Sequence, residues 1–169
     1  MNVVLVHPEI PQNTGNIARS CAATGAGLHL IKPLGFSLSD RYLKRAGLDY
    51  WDMMHYELYE DWRDFRTKYP EAAFFFLTTK ARKSYCEVAY PRDAFLVFGC
   101  ETRGLPEDML ACHMDRCLRI PMAPGARSLN LSNSVAIVLY EALRQNGFPG
   151  LSACGSLHGT GTGAWEDYV

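Results

Sequence analysis

Three short stretches concentrate the side chains that could hold or act on a ligand. Asn13-Thr14-Gly15-Asn16-Ile17-Ala18-Arg19 places amides and a guanidinium around a glycine, and Phe98-Gly99-Cys100-Glu101-Thr102-Arg103-Gly104-Leu105 sets a carboxylate and a guanidinium between two glycines. The third, Ile120-Pro-Met-Ala-Pro-Gly-Ala-Arg-Ser-Leu-Asn-Leu-Ser-Asn133, is proline- and glycine-rich before it turns polar. Each alone has a plain structural use: Asn13 as a helix cap, Gly99 and Gly104 as positive-φ residues, the prolines as shapers of a surface turn. Together they follow predicted strands at the carboxyl end, the edge at which open α/β sheets bind ligands, so one site built from three loops is the economical reading. The six cysteines form no C-x-x-C pair, and Cys112-His113-x-x-x-Cys117 is a weak metal signal, so no metal is expected and free buried thiols are. Gly159-Thr-Gly-Thr-Gly163 resembles a phosphate loop only superficially: it follows no strand and lacks the Walker lysine.

The elements that must position these loops follow from periodicity. Val3–Val6 reads as a buried strand; Pro8 and Pro11 then predict an irregular loop before a helix beginning near Asn13, with Ile17, Cys21 and Thr24 at helical spacing and Gly25 and Gly27 as its stop. Leu28–Ile31 is a second strand, closed by Pro33, which makes a βαβ unit with a parallel pair. Trp62–Tyr69 reads as a helix, Ala73–Leu77, Ala94–Phe98 and Cys117–Ile120 as strands, and Glu107–Cys112 as a short helix with Pro106 in its first turn. The last helix runs from Leu131 to Gln145, capped by Asn130 or Ser132 and ended by Gly147. Unbroken apolar strands alternating with helices indicate an α/β fold, a mostly parallel sheet covered by helices on both faces. Residues 1–150 are expected to form one domain and 151–169, rich in Gly, Ser and Thr, a flexible tail.

Composition narrows the partners. Of 169 residues 48% are hydrophobic and 21% charged, which excludes global disorder, and a chain of this length buries about 70% of its unfolded surface around one core. The N-terminus lacks a basic region and a long apolar run, and no 18-residue apolar stretch occurs, so a cytoplasmic protein without a membrane partner is expected. A net charge of −1 argues against bulk electrostatic coating of nucleic acid. That total is a cancellation, because residues 1–50 and 76–130 each carry +2, residues 51–75 carry −3 and residues 131–169 carry −2. The loop-bearing segments are the positive ones, which predicts modest, salt-sensitive affinity for a polyanion.

The three stretches resemble the three motifs of the SpoU branch of the SPOUT RNA methyltransferases: N-x-G-N-x-x-R, F-G-x-E-x-x-G-L and I-P-M-x-P-x-x-x-S-L-N-L-S-N. The resemblance covers about residues 2–150. The Pro8-Glu-Ile-Pro-Gln-Asn-Thr-Gly-Asn16 opening, Arg45–Tyr50, Leu77-Thr-Thr-Lys80 and Gly147-Phe-Pro-Gly150 are similar to the single-domain members that methylate the ribose 2′-oxygen of the tRNA wobble nucleotide, position 34. The resemblance implies a SPOUT fold with a C-terminal deep trefoil knot, S-adenosylmethionine as co-substrate, and a homodimer that grips a tRNA anticodon loop. It implies catalytic positions at Arg19, Glu101, Ser128 and Asn130, and a donor pocket lined by Leu77, Gly99, Ile120, Ser128 and Leu129. Candidate RNA contacts are Asn13, Arg41, Lys44, Arg45, Arg103 and Arg127, with Arg82, Lys83 and Arg144 as further phosphate contacts and Tyr50, Trp51 or His55 as stacking surfaces. A guanidinium does not readily lose its proton, so Arg19 is expected to anchor a phosphate while Glu101 holds it by paired hydrogen bonds. Two rivals remain: methylation of another tRNA or rRNA site, and a non-catalytic RNA-binding module.

Overall fold

The computed structural model describes residues 1–38 and 56–156. In chain order these form β1 (Asn2–Val6), α1 (Pro11–Thr24), β2 (Gly27–Ile31), β3 (Tyr56–Tyr59), α2 (Trp62–Lys68), β4 (Phe74–Leu77), β5 (Lys83–Ser84), β6 (Phe95–Phe98), α3 (Glu107–Cys112), a 3₁₀ turn (Met114–Arg116), β7 (Cys117–Arg119) and α4 (Leu131–Gln145). The seven strands make one sheet in the order β3-β2-β1-β6-β4-β7-β5, and every pairing is parallel. The two central crossings, β1 beside β6 and β6 beside β4, join strands distant in sequence. Strand order therefore reverses where the second motif begins.

Local chemistry accounts for most boundaries. Pro11 opens α1 at its first turn, two residues earlier than the expected start near Asn13, because proline's missing N–H costs nothing there. Gly25, at φ 68°, ends α1 with its N–H on the Cys21 carbonyl, whereas Gly27 begins β2 and does not terminate the helix. Asp61 caps α2 by accepting from the Asp64 N–H at 2.8 Å, and Pro106 stands just before α3 as its cap residue. Two strands escaped the sequence reading: β3, whose Tyr-Glu-Leu-Tyr alternates on an edge, and β5, two residues long.

Successive strand residues supply opposite faces. Val3, Leu5, Leu28, Leu30, Leu96 and Phe98 meet Ile17 and Cys21 of α1 and Val135 and Leu139 of α4. Val4, Val6, Ile31 and Val97 face the other way, toward Phe65, Phe74, Phe76, Phe95 and Leu110. Burial on both sides is why the central strands read as continuous apolar runs rather than alternating ones. His29 lies buried among Tyr59, Phe65, Tyr69 and Phe95 on this second face. Its Nδ1 meets the Tyr59 hydroxyl at 3.2 Å and its Nε2 the Asn2 side-chain oxygen at 3.3 Å. Burial, opposed by the Glu57 carboxylate, lowers its pKa to about 4, so it is neutral at pH 7. No helix among the described residues is long and apolar enough to cross a membrane.

Candidate functional site

Strand β6 leaves the sheet at Phe98 and immediately doubles back. The Gly104 N–H donates to the Cys100 carbonyl at 3.0 Å, and Gly104 takes φ 72°. A Cβ placed on Gly99 would lie 2.0 Å from the Gly104 carbonyl carbon and 2.2 Å from the Leu105 nitrogen. Gly99 is therefore required by backbone crossing backbone, and not by a positive φ, which it does not adopt. The returning chain is anchored by buried Leu105, and the hairpin between presents Glu101 to the start of α1.

That carboxylate does not meet Arg19 as expected. Its Oε2 accepts from the Glu9 N–H at 2.8 Å, and its Oε1 accepts from the Ile10 N–H at 3.2 Å and from Asn13 Nδ2 at 2.9 Å. Ile10 cannot cap a helix with its own side chain, and α1 has no acid in its first turn, so Glu101 brings negative charge to the positive end of the helix from a distant loop. Asn13, only 6% exposed, is not a cap; it continues the chain of bonds, its Oδ1 accepting from Asn130 Nδ2 at 2.9 Å. Asn130 in turn caps α4, accepting through Oδ1 from the Ser132 N–H at 2.9 Å and the Asn133 N–H at 3.4 Å. With both side-chain groups engaged inside the protein, Asn13 is part of the frame of the site.

The three loops enclose a cavity of about 550 Å³ at the carboxyl ends of β4, β6 and β7. All five expected donor-pocket residues, Leu77, Gly99, Ile120, Ser128 and Leu129, line it, and Glu101, Asn130, Arg103 and Arg127 join them. Residues 120–130 form neither helix nor strand, which leaves backbone N–H and C=O groups available to a ligand edge. The size falls within the usual range of about 300–1,000 Å³ for small-molecule sites. Thr78, Lys80 and Met122 also line the cavity, and Lys80 pairs with Glu107 of α3. Thr78 and Lys80 belong to the strand end Leu77-Thr-Thr-Lys80, which periodicity marks only as a strand end, and Met122 to the Ile120–Asn133 stretch.

Other expected residues lie elsewhere. Arg19 is exposed on α1, outside the cavity wall. Arg41, Lys44, Arg45, Tyr50, Trp51 and His55, and the glycine-rich 159–163 segment, lie outside the described residues. Arg82 and Lys83 are exposed at β5. Arg144 is exposed and pairs with Glu141 through two bonds of 2.8 and 3.0 Å, which with Gln145 hold the Glu141 pKa down to about 2. Cys112 is exposed, while Cys117 is buried with its thiol on the Leu110 and His113 carbonyls, so the pair does not converge.

Known proteins with this arrangement are informative. The SpoU rRNA Methylase family model matches residues 1–140. The tRNA (cytidine(34)-2′-O)-methyltransferase of Escherichia coli (strain K12) is 48% identical over 151 residues, 89% of this chain and 96% of that one. A solved structure concerned with 2-OH methylation of C/U34 on tRNA superposes with a TM-score of 0.83 at 45% identity, covering 86% of this chain and 95% of the other. An AdoMet-bound rRNA methyltransferase from Sinorhizobium meliloti gives a TM-score of 0.74 at 28% identity, covering 85% of this chain and 55% of that one.

Proposed function

The chain belongs to the SpoU rRNA Methylase family, and from that premise we propose that it transfers a methyl group from S-adenosylmethionine to the ribose 2′-hydroxyl of nucleotide 34, a cytidine or modified uridine, in tRNA. The observation that carries this reading is the meeting of all three motif loops in one cavity, walled by Leu77, Gly99, Ile120, Ser128 and Leu129. Such a slot between strand ends suits a neutral adenine edge read by backbone groups. The donor, when bound, supplies an electrophilic methyl carbon on a sulfonium. The chain's own contribution is to hold the ribose oxygen in line with that carbon and to provide for its proton.

Arg19, Glu101, Ser128 and Asn130 are the proposed catalytic group. The Arg19 guanidinium binds an RNA phosphate and favours the developing alkoxide, while a phosphate or water takes the proton. Arg103 and Arg127 at the cavity, with Arg41, Lys44 and Arg45, supply further phosphate contacts. Ile137 and Tyr140 are 37% and 46% exposed on α4, which packs beside α1. Exposed apolar residues on a helix that packs beside the Arg19-bearing α1 support a homodimer in which the second copy completes the RNA-binding surface.

Incubation with radiolabelled S-adenosylmethionine and unmodified tRNA, followed by mapping of the labelled nucleotide, tests the proposal. Label on the ribose of nucleotide 34 is expected; label confined to another position, or absent from every RNA tried, overturns it. Sedimentation of the free protein at the mass of two chains is the matching expectation for the dimer.

A further inference from the structure

The bonds around Glu101 are only half of a reciprocal arrangement. Glu9, which presents its backbone N–H to the Glu101 carboxylate, returns its own carboxylate to the next residue: Oε1 accepts from the Thr102 hydroxyl at 2.9 Å and Oε2 from the Thr102 N–H at 3.2 Å. Two loops more than ninety residues apart thus each give one carboxylate and receive donors from the other. The Glu9 end is itself fixed from behind. The Gly35 N–H donates to the Pro8 carbonyl at 2.9 Å, and a Cβ on Gly35 would stand 2.8 Å from the Glu9 Cα, so that loop lies directly on the Glu9 backbone. Glu9 is not among the residues lining the cavity, and its carboxylate hydrogen-bonds Thr102.

We propose that Glu9 is a positioning residue for methyl transfer: its carboxylate, clamped on Thr102, sets the orientation of the Glu101–Thr102–Arg103 turn and thereby of Glu101 toward Asn13 and of Arg103 toward the acceptor. This rests on the function proposed above and adds a residue to it. Charge-assisted bonds donated by an N–H and an O–H to a carboxylate define direction more strictly than apolar packing does. Without the clamp, the second-motif turn keeps its Gly99 crossing but loses the tie that stops it rotating. Leu77 on β4 and Ile120, Ser128 and Leu129 stand on segments that the Glu9 carboxylate does not bond, so the defect falls on the chemical step and the acceptor.

The test measures Glu9→Gln, Thr102→Val and the double variant in the full-length protein, with tRNA methylation kinetics and calorimetric S-adenosylmethionine binding. Glu9→Gln keeps the side-chain volume but faces the two Thr102 donors with an amide. About tenfold lower kcat is expected for each single variant, donor Kd within about twofold of the parent, and a double variant no worse than the singles, because both changes remove one interaction. Thr102→Ser, which retains both donors, restores most of the loss. Turnover equal to the parent in Glu9→Gln, losses that multiply in the double variant, or a parallel loss of donor affinity overturns the inference while leaving the methyltransferase reading intact. A parent protein that labels no RNA overturns that reading itself.

Discussion

The sheet is held in two different ways on the face covered by α2 and at the carboxyl ends of its strands. Beneath α2, Phe65, Phe74, Phe95, Tyr59 and Tyr69 pack ring against ring around His29, with centroids 4.8–5.8 Å apart. At the carboxyl ends of β6 and β7, by contrast, the chain is lashed by side-chain hydrogen bonds spanning 88 to 117 residues, from Glu101 through Asn13 to Asn130. Aromatic packing stores energy in area, with little demand on direction; the polar lashing stores little energy but specifies angles. Stability and activity should therefore separate by region.

The largest effect on stability is expected on the aromatic side. Phe65→Ala, at a fully buried ring, should cost about 3–5 kcal/mol of unfolding free energy in urea titration, with methyl transfer per folded molecule little changed. His29 makes the same region pH-sensitive. Its folded pKa of about 4 lies below its ordinary 6.5, so the unfolded chain binds more protons between those values. The stability is fully present above pH 6.5 and is lost as pH falls toward 4, by up to about 3 kcal/mol, and His29→Leu should flatten that slope. On the loop side, Gly99→Ala should cost only about 1–3 kcal/mol of stability. Because the Gly104–Leu105 backbone must shift to admit the methyl, methylation should fall by about a hundredfold or more in the same preparation. Asn130→Ala removes the α4 cap and should lower stability by about 1 kcal/mol, with an activity loss out of proportion because the Asn13 tie goes with it. A Phe65 variant that loses turnover per folded molecule, or a Gly99 variant that keeps it, would break the division between the two regions.

Much of the frame was legible in the residues. Val3–Val6, Phe95–Phe98 and Leu131–Gln145 announce themselves by apolar run or helical period, and Gly25 and Gly147 mark helix ends through their positive φ. β3 and β5 did not, because an edge strand of four residues and one of two carry too short a pattern to stand out from loop. Among site residues, the three loops were found and their convergence was expected. The partners within them are not legible: Glu101 bonds the α1 N-terminus and Asn13 rather than Arg19, and the Asn13 side chain is buried. Residue type says that a carboxylate seeks donors, and a guanidinium is an obvious one, but type alone cannot say which donors the fold delivers.

The sequence by itself determined the class of fold, the edge of the sheet that carries the site and the motif residues that bear the family's resemblance, since periodicity and glycine placement are local properties. Only the tertiary structure decided that Gly99 exists for a backbone crossing, that Glu101 and Glu9 exchange carboxylates between distant loops, and that Arg144 pairs with Glu141. The physical reason is one of range. Helix and strand are set by neighbours within a few residues, whereas a hydrogen bond between side chains 93 or 117 residues apart exists only after the sheet has brought those strands together.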